Sequence, residues 1–223
     1  MLVDLVYAGR EFGKMLLPRV KTRFNGAHVH FYDQTIQVSD MATWLQLLSD
    51  LISNEKLVYQ LRNGQANLKG PFGTKAQCGY NKDISVLGMN GLPVVIKDVM
   101  DNQEDGTKKV VLTMRNLSTF EIDFGPAVFE IQEGGDSGDD DRHRQWRTIA
   151  RLKGHFFTKR GEFHVPFGVE TVSLDGGETL GLDVEKTYYL KGIETEREGA
   201  WTNEAIKFIR SPMVLTQKFI SLY

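Results

Sequence analysis

Residues 94–116 read VVIKDVMDNQEDGTKKVVLTMRN. Two β-branched runs, VVIKDVM and KKVVLTMRN, flank a polar stretch that holds Asp105-Gly106. Asp-Gly between two such runs is a hairpin signal, because its residues enter the left-handed backbone region that a tight turn needs. The stretch therefore predicts two adjacent antiparallel strands. The same pattern continues downstream in PAVFEI (126–131), WRTIARLKGHFF (146–157), FHVPF (163–167), ETVSL (170–174) and LGLDV (180–184), separated by Gly, Asp and Pro. Successive short strands with turn residues between them predict an antiparallel sheet or sandwich.

Upstream the period changes. In SDMATWLQLLSDLIS (39–53), Met41, Trp44, Leu45, Leu48, Leu51 and Ile52 recur at helical spacing, which predicts an amphipathic helix with its stripe in the core. Ser39 or Asp40 precedes it as the residue that accepts the first free N–H groups. The fold class expected is α+β, a mostly antiparallel β-sheet or sandwich packed with a few helices. Residues 1–16 leave helix and strand both open, and Pro18 interrupts any helix there. Residues 19–33 predict two short strands turning at Asn25-Gly26, with Val20, Phe24, Val29 and Phe31 alternating. TIQV (35–38) and LVYQL (57–61) read as strands, residues 62–73 as a turn-rich loop, and 71–92 as a mobile surface loop. The tail from Asn203 begins as a helix that Pro212 ends or bends. The chain is read as one domain, 1–223, with a flexible amino-terminal segment over 1–18 and an exposed acidic loop over 133–144.

The 223 residues are 41% hydrophobic and 25% charged, with net charge −2, an ordinary globular composition that gives no overall attraction to nucleic acid. A single cysteine, Cys78, rules out an intrachain disulfide. The start MLVDLVYAGREF lacks the basic and long apolar regions of a signal peptide, and no run of apolar residues is long enough to span a bilayer as a helix. A membrane, if met, is met at its surface.

Catalytic motifs do not assemble. GDSG (135–138) matches the nucleophile loop of trypsin-like serine proteases, but Asp139, Asp140 and Asp141 follow it, and carboxylates there oppose a developing oxyanion. With Asp136 these aspartates supply oxygens enough for a weak calcium site but not the EF-hand pattern, since Asp141 stands where glycine is needed. His28 and His30 share one face of a strand without a third ligand. No phosphate-binding glycine loop is present. The sequence assigns no catalytic residue, metal or cofactor.

One local charge excess stands out. REFGKMLLPRVKTR (10–23) holds Arg10, Lys14, Arg19, Lys21 and Arg23 against Glu11 alone, a charge of +4, which leaves −6 on the remaining residues. Such segregation suits an anionic surface, with about 1 kcal/mol per cation close to the bilayer. Phe12, Leu16 and Leu17 lie between the cations and suit shallow insertion.

EGAWTNEAIKF (198–208) is similar to the carboxyl-terminal segment of vesicular-stomatitis-type rhabdovirus matrix proteins, through Gly199, Ala200, Trp201, Glu204, Ile206 and Phe208. The stretch from RVKTRFNG to Asn67-Leu68-Lys69 resembles the start of the same family's core: a basic strand, a short strand, an Asp-initiated helix, a strand, then a loop with Asn-Leu-Lys. Val20, Lys21, Ser39, Asp40, Trp44 and Leu57 carry that likeness. The resemblance implies a non-enzymatic structural protein beneath a virion envelope and at host membranes. Its implied partners are other copies of itself, the nucleocapsid, an anionic membrane and a viral glycoprotein, with no sequence-specific nucleic-acid contact. Arg10, Lys14, Arg19, Lys21 and Arg23 would meet membrane or nucleocapsid. Asp136, Asp139, Asp140 and Asp141 would meet a basic patch on a neighbour, and Trp44 and Trp201 would anchor the packing. The chain has no Pro-Pro-x-Tyr budding motif. Two alternatives stand beside this reading. One is a β-sandwich module for a protein or glycan, resting on Tyr32, Tyr80, Tyr188 and Tyr189. The other is a different viral structural or movement protein.

Overall fold

A computed structural model describes residues 1–18, 35–101, 108–134, 146–171, 182–196 and 200–222. Its strand pairings are antiparallel, and a few short helices accompany two sheets, which is the α+β class expected. The chain divides into two compact units, residues 1–48 with 56–86, and residues 49–55 with 87–223.

The first unit is built on a five-stranded sheet. Its strands are β1 (Leu2–Tyr7), β2 (Arg10–Leu16), β3 (Ile36–Val38), β4 (Lys56–Lys69) and β5 (Lys75–Leu87), in the order β3-β2-β1-β4-β5. The choice between helix and strand for residues 1–16 falls to strand. Ala8 and Gly9 both have positive φ, 48° and 78°, and close a two-residue hairpin in which Tyr7 faces Arg10. That handedness matches the twist of the flanking strands. The expected flexible segment over 1–18 is corrected accordingly. Val3, Leu5, Phe12 and Leu17 are buried, and the amino terminus and Leu17 exchange hydrogen bonds, both 2.7 Å.

The predicted helix is α1 (Met41–Ser53). Asp40 caps it, accepting from the N–H of Ala42 at 3.0 Å and Thr43 at 3.2 Å and from the Thr43 hydroxyl at 2.7 Å. The Thr43 hydroxyl, followed by the backbone donors, holds the Asp40 carboxyl below its ordinary range. The buried stripe is narrower at its start than that expected and gains Leu47. Met41 is exposed, Trp44 and Leu45 are half-buried, and Leu47 joins Leu48, Leu51 and Ile52 inside. Trp44 anchors the helix by stacking on Phe12, with centroids 5.8 Å apart.

Residues 62–69 and 75–87, expected as loops, are strand. The reason is a polar ladder. Arg62 pairs with Asp83 at 2.7 Å, the Asn81 side chain accepts from the Asn63 N–H at 3.0 Å, and Gln77 donates to Gln65 at 2.7 Å. A ribbon held by cross-strand polar pairs and exposed on most positions carries no hydrophobic alternation for a sequence reading to detect.

The second unit holds seven strands: β6 (Val94–Asp101), β7 (Lys108–Asn116), β8 (Asp123–Gly134), β9 (Trp146–Phe157), β10 (Gly161–Thr171), β11 (Thr187–Thr195) and β12 (Arg210–Val214). Their order is β12-β11-β8-β9-β10-β7-β6. β6 and β7 pair as the opening stretch predicts, from Val94 opposite Met114 to Asp101 opposite Lys108; the Asp105-Gly106 turn lies outside the described residues. The core is aromatic. Phe129 stands edge-on to Phe156 at 4.9 Å and to Phe167 at 5.4 Å, and Phe124 stacks on Phe156 at 5.4 Å. The end strands β12 and β6 approach each other, so the sheet curls round on itself. Bonds from Ser211 to the Gly91 carbonyl and from Lys218 to Asp98 fasten that seam.

Two carboxyl-terminal expectations change. Leu182–Val184 are not strand; the chain turns there and β11 begins at Thr187. The tail helix is short, α2 (Trp201–Ala205) followed by a 3-10 turn to Phe208, and α3 (Gln217–Ile220) comes later. Pro212 sits inside β12 instead of ending a helix. At a sheet end its missing N–H leaves no ladder bond unmade. Trp201 is half-buried, and Thr202, Ala205, Ile206 and Ile209 do the burying.

Candidate functional site

Of the basic segment, Arg19, Lys21 and Arg23 lie outside the described residues, as do His28, His30, Tyr32, Asp136, Asp139, Asp140, Asp141 and Gly199. Arg10 is exposed at the β1–β2 turn. Lys14 is engaged, with its ammonium 3.0 Å from Asp4 and 3.7 Å from Glu11. Asp4 also accepts from Asn63 at 2.7 Å; this bond first, and then Lys14, lower its carboxyl, while Asp4 raises Lys14. Phe12 and Leu17 are core residues, which corrects their expected role in insertion. Leu16 alone of the three is exposed, opposite exposed Leu2.

A larger, though less dense, excess of positive charge lies elsewhere. From residue 56 to 82 the chain has Lys56, Arg62, Lys69, Lys75 and Lys82 and no Asp or Glu. That is +5 in a chain of −2, leaving −7 on the remaining residues. These residues form most of the β4–β5 hairpin. Arg62 is spoken for by Asp83, and Lys69 and Lys75 flank the far end. The Gly70 N–H donates to the Thr74 carbonyl at 2.8 Å and closes that end around a 3-10 turn, Pro71–Gly73. Phe72 is at its apex, 104% exposed, with φ of 61°. Leu68 and Cys78 are exposed nearby. A linear charge count over 56–82 would have found this ribbon.

A second cluster lies on the outer face of the seven-stranded sheet. The Arg210 guanidinium is 3.9 Å from the centre of the Trp146 ring and 5.3 Å from that of Tyr189, and the two rings meet edge-on at 5.2 Å. Lys191 stands opposite both Arg210 and Glu130 in the register. Glu130 is buried and accepts from Gln132 at 2.9 Å, Thr148 at 2.9 Å and Arg151 at 3.2 Å. Burial pushes its carboxyl up, but these three donors outweigh burial and hold it below the ordinary value. Glu133, bonded to Arg147 at 2.5 Å and Lys186 at 3.0 Å, behaves in the same way. Saturated carboxylates of this kind fix strands together and are poor proton acceptors. Tyr188, expected on the surface, is fully buried; Tyr189 and Tyr80 are half-buried.

These carboxylates make stability depend on pH. Their folded pKa values lie below the unfolded ones, so between the two the unfolded chain binds more protons and stability rises with pH. The contribution is complete above the ordinary glutamate value of 4.5 and is lost as pH falls through the lowered folded values. Replacing Glu130 with Ala is expected to cost about 2 kcal/mol at neutral pH, because buried Gln132 loses its acceptor. Its denaturation midpoint should also fall less on acidification than that of the wild type. Parallel acid limbs would show that Glu130 contributes nothing to the pH dependence.

One histidine cluster bears on catalysis. The Lys97 ammonium is 2.8 Å from His164 Nε2, and the Thr113 hydroxyl is 2.9 Å from His164 Nδ1. An ammonium only donates, so Nε2 accepts and Nδ1–H donates to Thr113. The ring thus has an ammonium where a nucleophilic triad places a carboxylate, and Thr113 is not activated. Among the described residues no three His, Cys, Asp or Glu side chains are grouped to hold a metal.

A family model described as a protein of unknown function, DUF3712, matches residues 10–131, more than half of the chain. The chain belongs to the DUF3712 family. The matched region runs from β2 into β8 and includes the whole basic hairpin. No curated protein and no solved structure matches the chain. The DUF3712 description names no activity or partner, so the functional reading rests on the residues. Of the elements that the matrix-protein resemblance implied, the basic strand beginning RVKTRFNG lies outside the described residues, and the short strand, the Asp40-capped helix and the next strand correspond to β3, α1 and β4. Asn67-Leu68-Lys69, however, is in β4 and not in a loop.

Proposed function

We propose that this chain works by adhesion and not by catalysis, as a peripheral structural protein that attaches to an anionic membrane surface. The observation that carries the reading is the β4–β5 hairpin, an exposed ribbon with five cations and one carboxylate, Asp83, which pairs with Arg62. Attraction of this kind acts within about 8–10 Å at ordinary salt, and the closed end of the hairpin carries Lys69 and Lys75 on either side of one turn. The resemblance at 198–208 adds the matrix-type form of the reading, in which copies self-associate and condense a nucleocapsid beneath a membrane. Many weak contacts along such a lattice suffice for tight attachment.

The test is co-sedimentation with neutral and anionic vesicles across a salt series, with light scattering to follow self-assembly. Binding to anionic vesicles that weakens with salt supports attachment, and assembly near physiological salt supports the matrix form. A monodisperse protein that ignores lipid at every salt points to the second reading, a glycan- or protein-binding module. The Trp146–Tyr189–Arg210 cluster favours that alternative, because stacked aromatic and cationic side chains on a sheet face suit planar ligands.

A further inference from the structure

We propose that the closed end of the β4–β5 hairpin is a membrane-inserting tip, in which Phe72 enters the bilayer interface while Lys69 and Lys75 hold lipid phosphates on either side. The inference rests on the attachment reading above and names the element that does it. Three observations converge. Phe72 is fully exposed, and of the large hydrophobic side chains left in water among the described residues it has the greatest relative exposure. It also holds φ at 61°, a conformation that is rare for a bulky side chain and more usual for Gly or Asn. The chain thus keeps an aromatic ring in water on a strained apex. Third, the apex is fixed. The Gly70–Thr74 bond of 2.8 Å closes the turn, and the Gln65–Gln77 bond of 2.7 Å ties the strands behind it, so the ring is presented on a rigid element.

The surrounding charge selects the occupant. Lys69 and Lys75 are the charged residues nearest the apex on either strand, and no carboxylate lies between 56 and 82 to repel an anionic surface. An aromatic residue with flanking ammonium groups is the composition of an interfacial anchor: the ring sits at the level of the upper acyl chains and lysine stems reach back to the phosphates. An apolar protein groove would gain from the ring but not from two exposed cations beside it.

The test uses the full chain and vesicles of phosphatidylcholine with phosphatidylserine. Phe72→Ala is expected to lower vesicle partitioning about tenfold, the weight of one large side chain, and to leave the salt dependence unchanged. Replacing Lys69 and Lys75 with Gln should also lower partitioning, by roughly fivefold per charge, and flatten the salt dependence. Phe72→Trp should bind as the wild type does, and lipids brominated in their acyl chains should quench its emission beyond the quenching of the three native tryptophans. Wild-type binding by Phe72→Ala, or no added quenching in Phe72→Trp, overturns insertion while leaving surface attachment standing. If the wild type itself binds no anionic vesicle, attachment and insertion fall together.

Discussion

Gly192→Ala is expected to lose about 3 kcal/mol or more of stability, the upper range for overpacking a core. A Cβ built on Gly192 falls onto the Ile206 carbonyl oxygen, with the Ile206 carbonyl carbon and Cγ1 each 2.9 Å away. Two of those three atoms are backbone, so no rotamer change makes room. Gly192 also donates its N–H to the Ile209 carbonyl at 3.0 Å, which pins the 206–209 turn against β11. Relief would mean lifting that turn, and buried Ala205, Ile206 and Ile209 would move with it. Gly168→Ala is the control in the same sheet. Its added Cβ meets only the Lys153 carbonyl oxygen, at 3.6 Å, an ordinary contact. Urea titration followed by tryptophan emission would read both variants. Equal midpoints for the two would show that the Ile206 turn yields easily and that the argument is wrong.

Phe129→Ala is expected to cost about 3–5 kcal/mol, the range for emptying a packed aromatic site. Phe129 is fully buried on β8, with strands β11 and β9 on either side, and its neighbours in the register are Gly192 and Leu152. It is the ring shared by the edge-on contacts to Phe156 and Phe167. Such pairs add roughly 0.5–1.5 kcal/mol beyond the area buried. Phe129→Leu should cost clearly less, because leucine refills most of the volume while losing the ring contacts. A difference below about 1 kcal/mol between Phe129→Ala and wild type in thermal or urea unfolding would mean that the cluster collapses to fill the hole.

The second unit was largely legible because its strands bury one face. Val110, Leu112 and Met114 alternate inward along β7, as do Ala127, Phe129 and Ile131 along β8, and that period survives in the sequence. The helix was legible for a different reason: Asp40 and the apolar spacing behind it are local signals. The β4–β5 ribbon was not, since its order comes from Arg62, Asn63 and Gln65 finding Asp83, Asn81 and Gln77 across the hairpin. The same distinction governs the candidate site. Residues 10–23 are dense in cations along the chain, but folding brings Asp4 to Lys14 and buries Phe12 and Leu17. The cations from Lys56 to Lys82 are spread over a longer stretch, so only a charge count over a wide window registers them, and the turn at 70–74 then sets Lys69 and Lys75 on either side of one end. Glu130 is likewise unremarkable until the register places Thr148 and Arg151 within its reach.

The seam between β6 and β12 bears on how copies of the chain avoid sticking together. An unpaired strand edge offers rows of N–H and C=O groups to any passing chain, and is where ordered aggregates start. In the second unit the two outermost strands face each other, and Pro212 removes a donor from one of them. Among the described residues no strand pairs with the outer edge of β5, thirteen residues at the end of the first unit's sheet. There Lys75, Lys82 and Asp83 stand as gatekeepers. Under conditions that silence charge, such as high salt, precipitation should begin at β5, and neutralising Lys75 and Lys82 should hasten it.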